Sequence, residues 1–214
     1  MTSAVANRRS ALTLALTLGA ATVLPGCAPL VLGGAMVGGT LVLVDRRTTG
    51  TQVEDQSIEL KGAARAREVA PSSHVNVTSY NRMVLLTGEV GSDTDRAAVE
   101  QAVSRVENVR AVVNELAVMG NSSLTSRSSD AVISGRVKAA LIDAKDLQAP
   151  AFKVVTERGV VHLMGLVTER EAARAADVTR NVSGVLKVVR VFDVITEEQL
   201  ARLQPKPADP PPSR

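Results

Sequence analysis

Val75–Val90 reads VNVTSYNRMVLLTGEV and Phe152–Val167 reads FKVVTERGVVHLMGLV, and the two align without a gap at an offset of 77 residues. Within them Val84-x-Leu86-x-Gly88-x-Val90 matches Val161-x-Leu163-x-Gly165-x-Val167. Alternation at period two puts each set on one face of a β-strand. A glycine in such a set weakens a strand unless another backbone comes close, so Gly88 and Gly165 are expected as structural glycines beneath a closely packed helix. Two copies of one strand mean a duplicated module.

Working outward, each strand is preceded by another across a short polar connection, Tyr80-Asn81-Arg82 or Glu157-Arg158-Gly159, as in a β-hairpin. Ser92-Asp93-Thr94-Asp95 and Thr168-Glu169-Arg170-Glu171 then fit the capping-box spacing of a helix start. The helices that follow carry stripes of Ala98, Ala102 and Val106, and of Ala175, Val178 and Val182. Each ends in a turn, Val106-Glu107-Asn108-Val109 or Val182-Ser183-Gly184-Val185, into a last strand, Ala111–Met119 or Lys187–Ile195. A further helix precedes each unit. Asp55–Val69 places Ile58, Gly62, Ala66 and Val69 on one side, and Asp130–Ala144 places Ile133, Val137, Ala140, Leu141 and Ala144. The predicted fold is α+β: two tandem α-β-β-α-β modules, each a three-stranded mixed sheet covered on one face by two helices. Modules this small sit near the lower limit for a stable core, so the two are expected to pack on each other.

The N-terminus reads as an address. Arg8 and Arg9 precede an apolar run, Ala11–Leu24, closed by Leu24-Pro25-Gly26-Cys27. This is the layout of a signal peptide ending in a lipobox, with Cys27, the only cysteine of the chain, as the lipid attachment site. The paired arginines lack the usual aromatic after them, which favours general secretion over twin-arginine export. Residues 28–44 are apolar but hold four glycines and a proline, which suits a membrane-hugging tether. A short membrane-inserted segment is the alternative. The division expected from these signals is a signal peptide at 1–26, lipidated Cys27 and tether at 27–50, and a first module at 51–120. A linker at 121–129, a second module at 130–196 and a disordered Pro-rich tail at 197–214 complete it.

Composition excludes several functions. The chain has one Tyr, two Phe and no Trp, too few rings to stack nucleobases, and its formal charge of +3 does not argue for nucleic acid. The charge is split, however. Residues 50–120 hold seven basic and ten acidic side chains, and residues 124–196 hold eleven and eight. No Gly-rich phosphate loop appears, and neither His74 nor His162 has a Cys or carboxylate at metal-ligand spacing. No catalytic residue, metal or cofactor is expected.

The order α-β-β-α-β, the V-x-L-x-G-x-V strand and the Val-x-Gly-Val turn resemble the BON domain. Leu163–Ala172 (LMGLVTEREA), Gly50–Asp55 (GTQVED) and the lipobox resemble the dual-BON lipoproteins of Gram-negative bacteria. That resemblance covers Cys27 to about Ile195 and implies an outer-membrane lipoprotein facing the periplasm that supports envelope integrity and is linked to cell division. It also implies binding of anionic phospholipid through the first helix of the second domain. The candidate residues here are Arg127, Val132, Ile133, Arg136, Lys138 and Lys145, and Val132 stands where an aromatic would be expected. The competing expectation is an adaptor for outer-membrane assembly or peptidoglycan-remodelling proteins with no lipid binding of its own.

Overall fold

The computed structural model describes residues 45–203. Cys27, the signal peptide, the tether up to residue 44 and the proline-rich stretch 204–214 lie outside the described residues. The first module runs α1 (Thr49–Val69), β1 (His74–Tyr80), β2 (Met83–Val90), α2 (Asp93–Ser104), β3 (Ala111–Asn114) and β4 (Ala117–Val118). The second runs α3 (Leu124–Asp143), a 3₁₀ turn (Ala149–Ala151), β5 (Phe152–Glu157), β6 (Val160–Val167), α4 (Glu169–Arg180) and β7 (Lys187–Val194), followed by α5 (Glu197–Leu203). In each, a hairpin pairs antiparallel, and the last strand returns parallel to the hairpin's second strand: β1-β2-β3 and β5-β6-β7. The first module's last strand, expected as one piece, is broken at Glu115-Leu116, where the Asn114 side chain accepts from the Leu116 amide.

The hairpin turns explain the helix starts. Asn81 and Arg82 have φ of 50° and 64°, Arg158 and Gly159 53° and 74°, as a two-residue type I′ turn requires. Two turn amides in each hairpin point inward and are met by one buried aspartate. Asp55 accepts from the Asn81 and Arg82 amides at 2.8 and 2.7 Å, and Asp130 from those of Arg158 and Gly159 at 2.8 Å. These aspartates therefore lie on the inner faces of their helices and do not begin them. The helices start six residues earlier, capped by Thr48 and Ser123, whose side chains accept from the Thr51 and Ser126 amides. Residues 124–129, expected as linker, are thus helical. So are residues 197–203 of the expected tail, where Thr196 and Gln199 cap one another and Leu200 is buried.

Each module has a core between helices and sheet, built on Ile58, Val84, Leu86, Val99 and Val103 in the first and on Val137, Leu141, Val161, Leu163 and Ala175 in the second. Two expected stripes shift. In α2 the buried residues are Val99 and Val103, one position on from Ala98 and Ala102, and Val69 at the end of α1 is 40% exposed. The strand glycines also serve a different neighbour. A Cβ on Gly88 would lie 2.0 Å from the His74 carbonyl oxygen, and one on Gly165 would lie 2.5 Å from that of Ala151. What approaches is the adjoining chain at the start of the hairpin, and the close helix meets the sheet instead at Gly62, beside Val77.

The sheet faces turned away from the helices are covered too. Tyr80 and Leu85 of the first module form one buried cluster with Met164 and Val191 of the second, flanked by Met83, Val113, Val155, Leu166 and Val189. The layers are helix, sheet, sheet, helix. Central strands β2 and β6 consequently meet apolar surroundings on both faces, which is why they read as almost continuous hydrophobic runs. Burying a side chain such as Leu85 or Met164 contributes about 1.5–3 kcal/mol.

Gly88 has φ +110° and a backbone atom where a Cβ would go, so Gly88→Ala is expected to cost about 3 kcal/mol or more. Gly165→Ala, crowded but without the left-handed φ, should cost less. Urea unfolding of the two variants beside the parent checks this order.

Candidate membrane-binding face

Helix α3 has 20 residues and is about 30 Å long. Its inner stripe, Asp130, Ile133, Val137 and Leu141, is fixed by the hairpin turn and the core. Helical periodicity leaves Leu124, Ala131, Gly135, Lys138 and Ile142 along the opposite face, with Val132 beside them. Leu124, Ile142 and Val132 are 79%, 68% and 53% exposed. Arg136, Lys138 and Lys145 are exposed on or beside the same helix, with Asp143 and Asp146 the exposed acids among them, the latter paired with Arg174 at 2.9 Å. Asp130 is buried and spent on two turn amides, so the surface is more basic than the residue count suggests.

The six expected lipid-binding residues separate. Val132, Arg136, Lys138 and Lys145 face solvent, and Arg136 donates to the Ser183 carbonyl oxygen at 3.3 Å. Ile133 does not belong with them. It is 9% exposed, packs beside Gly184 and is part of the core, because it lies one turn from Val137 on the inner stripe. Arg127 lies within the helix and is held by Ser122, its Nε donating to Oγ and its Nη2 to the carbonyl oxygen, both at 3.1 Å. Leu124 and Ile142 were missed. Their signal is a second stripe on α3 at spacings of seven, four and seven through Ala131 and Gly135, which a helix beginning at Asp130 cuts off from Leu124.

The end of the tether is held by both modules. Arg46 donates to both carboxylate oxygens of Glu171 at 2.8 and 2.7 Å and to the Leu166 carbonyl oxygen at 2.9 Å. Both side chains of this pair are 4% exposed. Burial alone would raise the Glu171 carboxyl, but the hydrogen bonds from Arg46 and the Thr168 amide outweigh it and hold the group below its ordinary 4.5. Thr168 and Glu171 also complete the capping box of α4. Arg47 bonds Asp45 and Asp55 and lies 4.0 Å over the Tyr80 ring, whose hydroxyl burial pushes up to about 12. Residues 45–47 are therefore folded, where a tether running to residue 50 was expected.

The two histidines, unremarkable by spacing, are placed differently on folding. His74 Nδ1 lies 3.1 Å from Glu89, with Glu157 of the second module close by. His162 faces the sheet–sheet layer, 2% exposed, with Glu115 at 3.8 Å. Burial pushes its imidazolium pKa down.

Comparison with known proteins gives this geometry a context. The BON domain model matches residues 54–120 and again 129–196. The chain is 37% identical over 182 residues to Outer membrane lipoprotein DolP of Haemophilus influenzae, covering 84% of this chain and 94% of that one. It is 31% identical over 155 residues to the 21 kDa hemolysin of Actinobacillus pleuropneumoniae, covering 71% and 80%. Among solved structures, CdsD, a structural protein of the type III secretion system of Chlamydia trachomatis, matches at a TM-score of 0.28 and 11% identity, over 71% of this chain and 96% of that one.

Removing one partner of a buried pair leaves the other charge uncompensated, so Arg46→Ala is expected to destabilise by about 3 kcal/mol at neutral pH. Because the folded state depresses the Glu171 pKa, the pair's stabilisation is complete above the carboxyl's ordinary 4.5 and disappears as pH falls through the folded value. Denaturant melts of parent and variant from pH 7 to pH 3 should therefore converge toward acid.

Proposed function

The chain belongs to the BON-domain family, of which it carries two copies, and on that premise we propose a lipoprotein of the outer membrane, anchored through Cys27 and facing the periplasm, that lays the outer face of α3 on anionic phospholipid. The observation that carries this reading is the exposure of Leu124 and Ile142 on a helix face flanked by Arg136, Lys138 and Lys145. Anchorage is supported by the lipobox and by the description of the Haemophilus influenzae relative as an outer membrane lipoprotein. Among the described residues no helix is long and apolar enough to cross a membrane.

The energetics suit an adhesive contact. Near an anionic surface each Lys or Arg contributes about 1 kcal/mol, and three against Asp143 leave a modest net attraction. Leu124 and Ile142 each add up to about 1.5–3 kcal/mol if fully buried in the acyl boundary. Such a site is weak in free solution. Tethering through Cys27 raises its effective concentration toward about the millimolar range, where weak sites fill. The role proposed is non-enzymatic: holding a rigid two-domain body against the inner leaflet, in support of envelope integrity and at the division site. A second reading, an adaptor for outer-membrane assembly or peptidoglycan-remodelling proteins, draws on Val53 and Leu60 of α1, which are 62% and 75% exposed on the more acidic first module.

Sedimentation with vesicles tests the lipid reading. The protein should bind phosphatidylglycerol vesicles well above phosphatidylcholine vesicles, and added salt should weaken binding. Arg136→Glu with Lys138→Glu should reduce affinity by about 30-fold or more, as loss of about 2 kcal/mol requires. Ile142→Ser should weaken it with the salt dependence retained. Equal binding to both lipids, or no effect of the reversals, would leave the adaptor reading in possession.

A further inference from the structure

The two modules use equivalent positions at opposite ends of their shared interface, and they fill them differently. At one end Tyr80 reaches across from the first module and donates to the Ala151 carbonyl oxygen at 3.4 Å, in the same apolar cluster as Leu166. At the offset of 77 the counterparts of Tyr80, Ala151 and Leu166 are Glu157, His74 and Glu89. The same fold thus closes one end with an aromatic, a methyl group and a leucine, and the other with two carboxylates and an imidazole. Burying such groups is costly unless they are paired, and at the Tyr80 end the buried charges are compensated, Arg46 by Glu171 and Arg47 by Asp55.

The polar end has the features of a ligand site. One donor atom from each of His74, Glu89 and Glu157 lies within 4.8 Å of the others. Glu89 is 0% exposed. Its Oε2 is placed by the Ser122 amide at 3.0 Å and by His74 Nδ1 at 3.1 Å, and its Oε1 has no hydrogen-bond partner. Arg158 Nη1 pairs with Glu89 Oε1 at 3.6 Å, beyond hydrogen-bond distance, and its side chain is 42% exposed. Asn76 Nδ2 donates to Glu157 Oε2 at 3.0 Å and acts as an outer-shell support.

We propose that His74, Glu89 and Glu157 form a site for a divalent transition-metal cation, Zn²⁺ by donor type, that clamps the first module to the second. One imidazole and two carboxylates leave a fourth position for water, and tetrahedral donors at about 2.0–2.1 Å stand about 3.4 Å apart, so the 4.8 Å spread needs only side-chain closure. Ca²⁺ and Mg²⁺, which take six or more oxygens, fit poorly.

The test is calorimetric titration of the full chain in detergent, stripped with chelator, with Zn²⁺ and separately with Ca²⁺, beside thermal melts. One Zn²⁺ per chain with micromolar or tighter affinity is expected, with weaker Ca²⁺ binding and a melting temperature that rises with Zn²⁺. His74→Ala and Glu157→Gln should each weaken Zn²⁺ binding by more than about tenfold. Glu157→Gln preserves shape, so it should still melt cooperatively but without the Zn²⁺-induced rise. No saturable binding, equal Ca²⁺ binding, or Zn²⁺ binding unchanged in both variants (as for an ion held by His162 or a free Cys27 thiol) overturns the proposal.

Discussion

The constraint on which the rest depends is the burial of both sheets against each other. A three-stranded sheet with helices on one face has another face to hide, and each module hides it on its own duplicate through Tyr80, Leu85, Met164 and Val191. The packing is fenced by polar ties between modules, Lys153 to Glu59 at 2.6 Å and Arg110 to Asp193 at 2.6 Å. Arg46 adds a third by running from the end of the tether to Glu171 of α4. The two domains therefore behave as one body, to which residues 45–47 are tied as well. With the sheet faces closed, the outer faces of the helices and the ends of the interface are among the surfaces that the described residues leave for a partner.

Duplication kept the scaffold and divided the surfaces. Asp55 and Asp130 repeat one device, a buried carboxylate that satisfies two amides of a left-handed turn and so locks the first helix of each module to its hairpin. Once that inner face is fixed, the outer face of the same helix is free to vary. In α1 it carries Val53 and Leu60 amid an acidic module, and in α3 Leu124 and Ile142 amid Arg136 and Lys138. The membrane contact proposed for α3 and the inter-module cation proposed for His74, Glu89 and Glu157 both arise where the copies differ.

Much of the fold was legible because it rests on local signals. The period-two strands, the hairpin connections and the Thr168–Glu171 capping box each act over a few residues, and the repeat doubled every signal. What was not legible depends on contacts distant in sequence. Asp55 and Asp130 look like helix starts until the turn amides 26 to 29 residues away are seen to need an acceptor. Ile133 looks like one of a pair with Val132, and only the core beneath decides which of the neighbours faces out. His74 has no ligand partner nearby in sequence because Glu157 arrives from the other module. For the proposed lipid face, charge was readable and the apolar stripe was not, since Leu124 lay outside the expected helix.

The central claim is that a rigid double module meets the bilayer by one helix face. Paramagnetic relaxation of side-chain methyl signals by nitroxide-labelled lipid in anionic bicelles reads that contact most directly. The account predicts strong broadening at Leu124, Val132 and Ile142 and none at Val53, Leu60 or the inter-sheet Met164. Broadening centred on α1, or spread evenly over the surface, would contradict it.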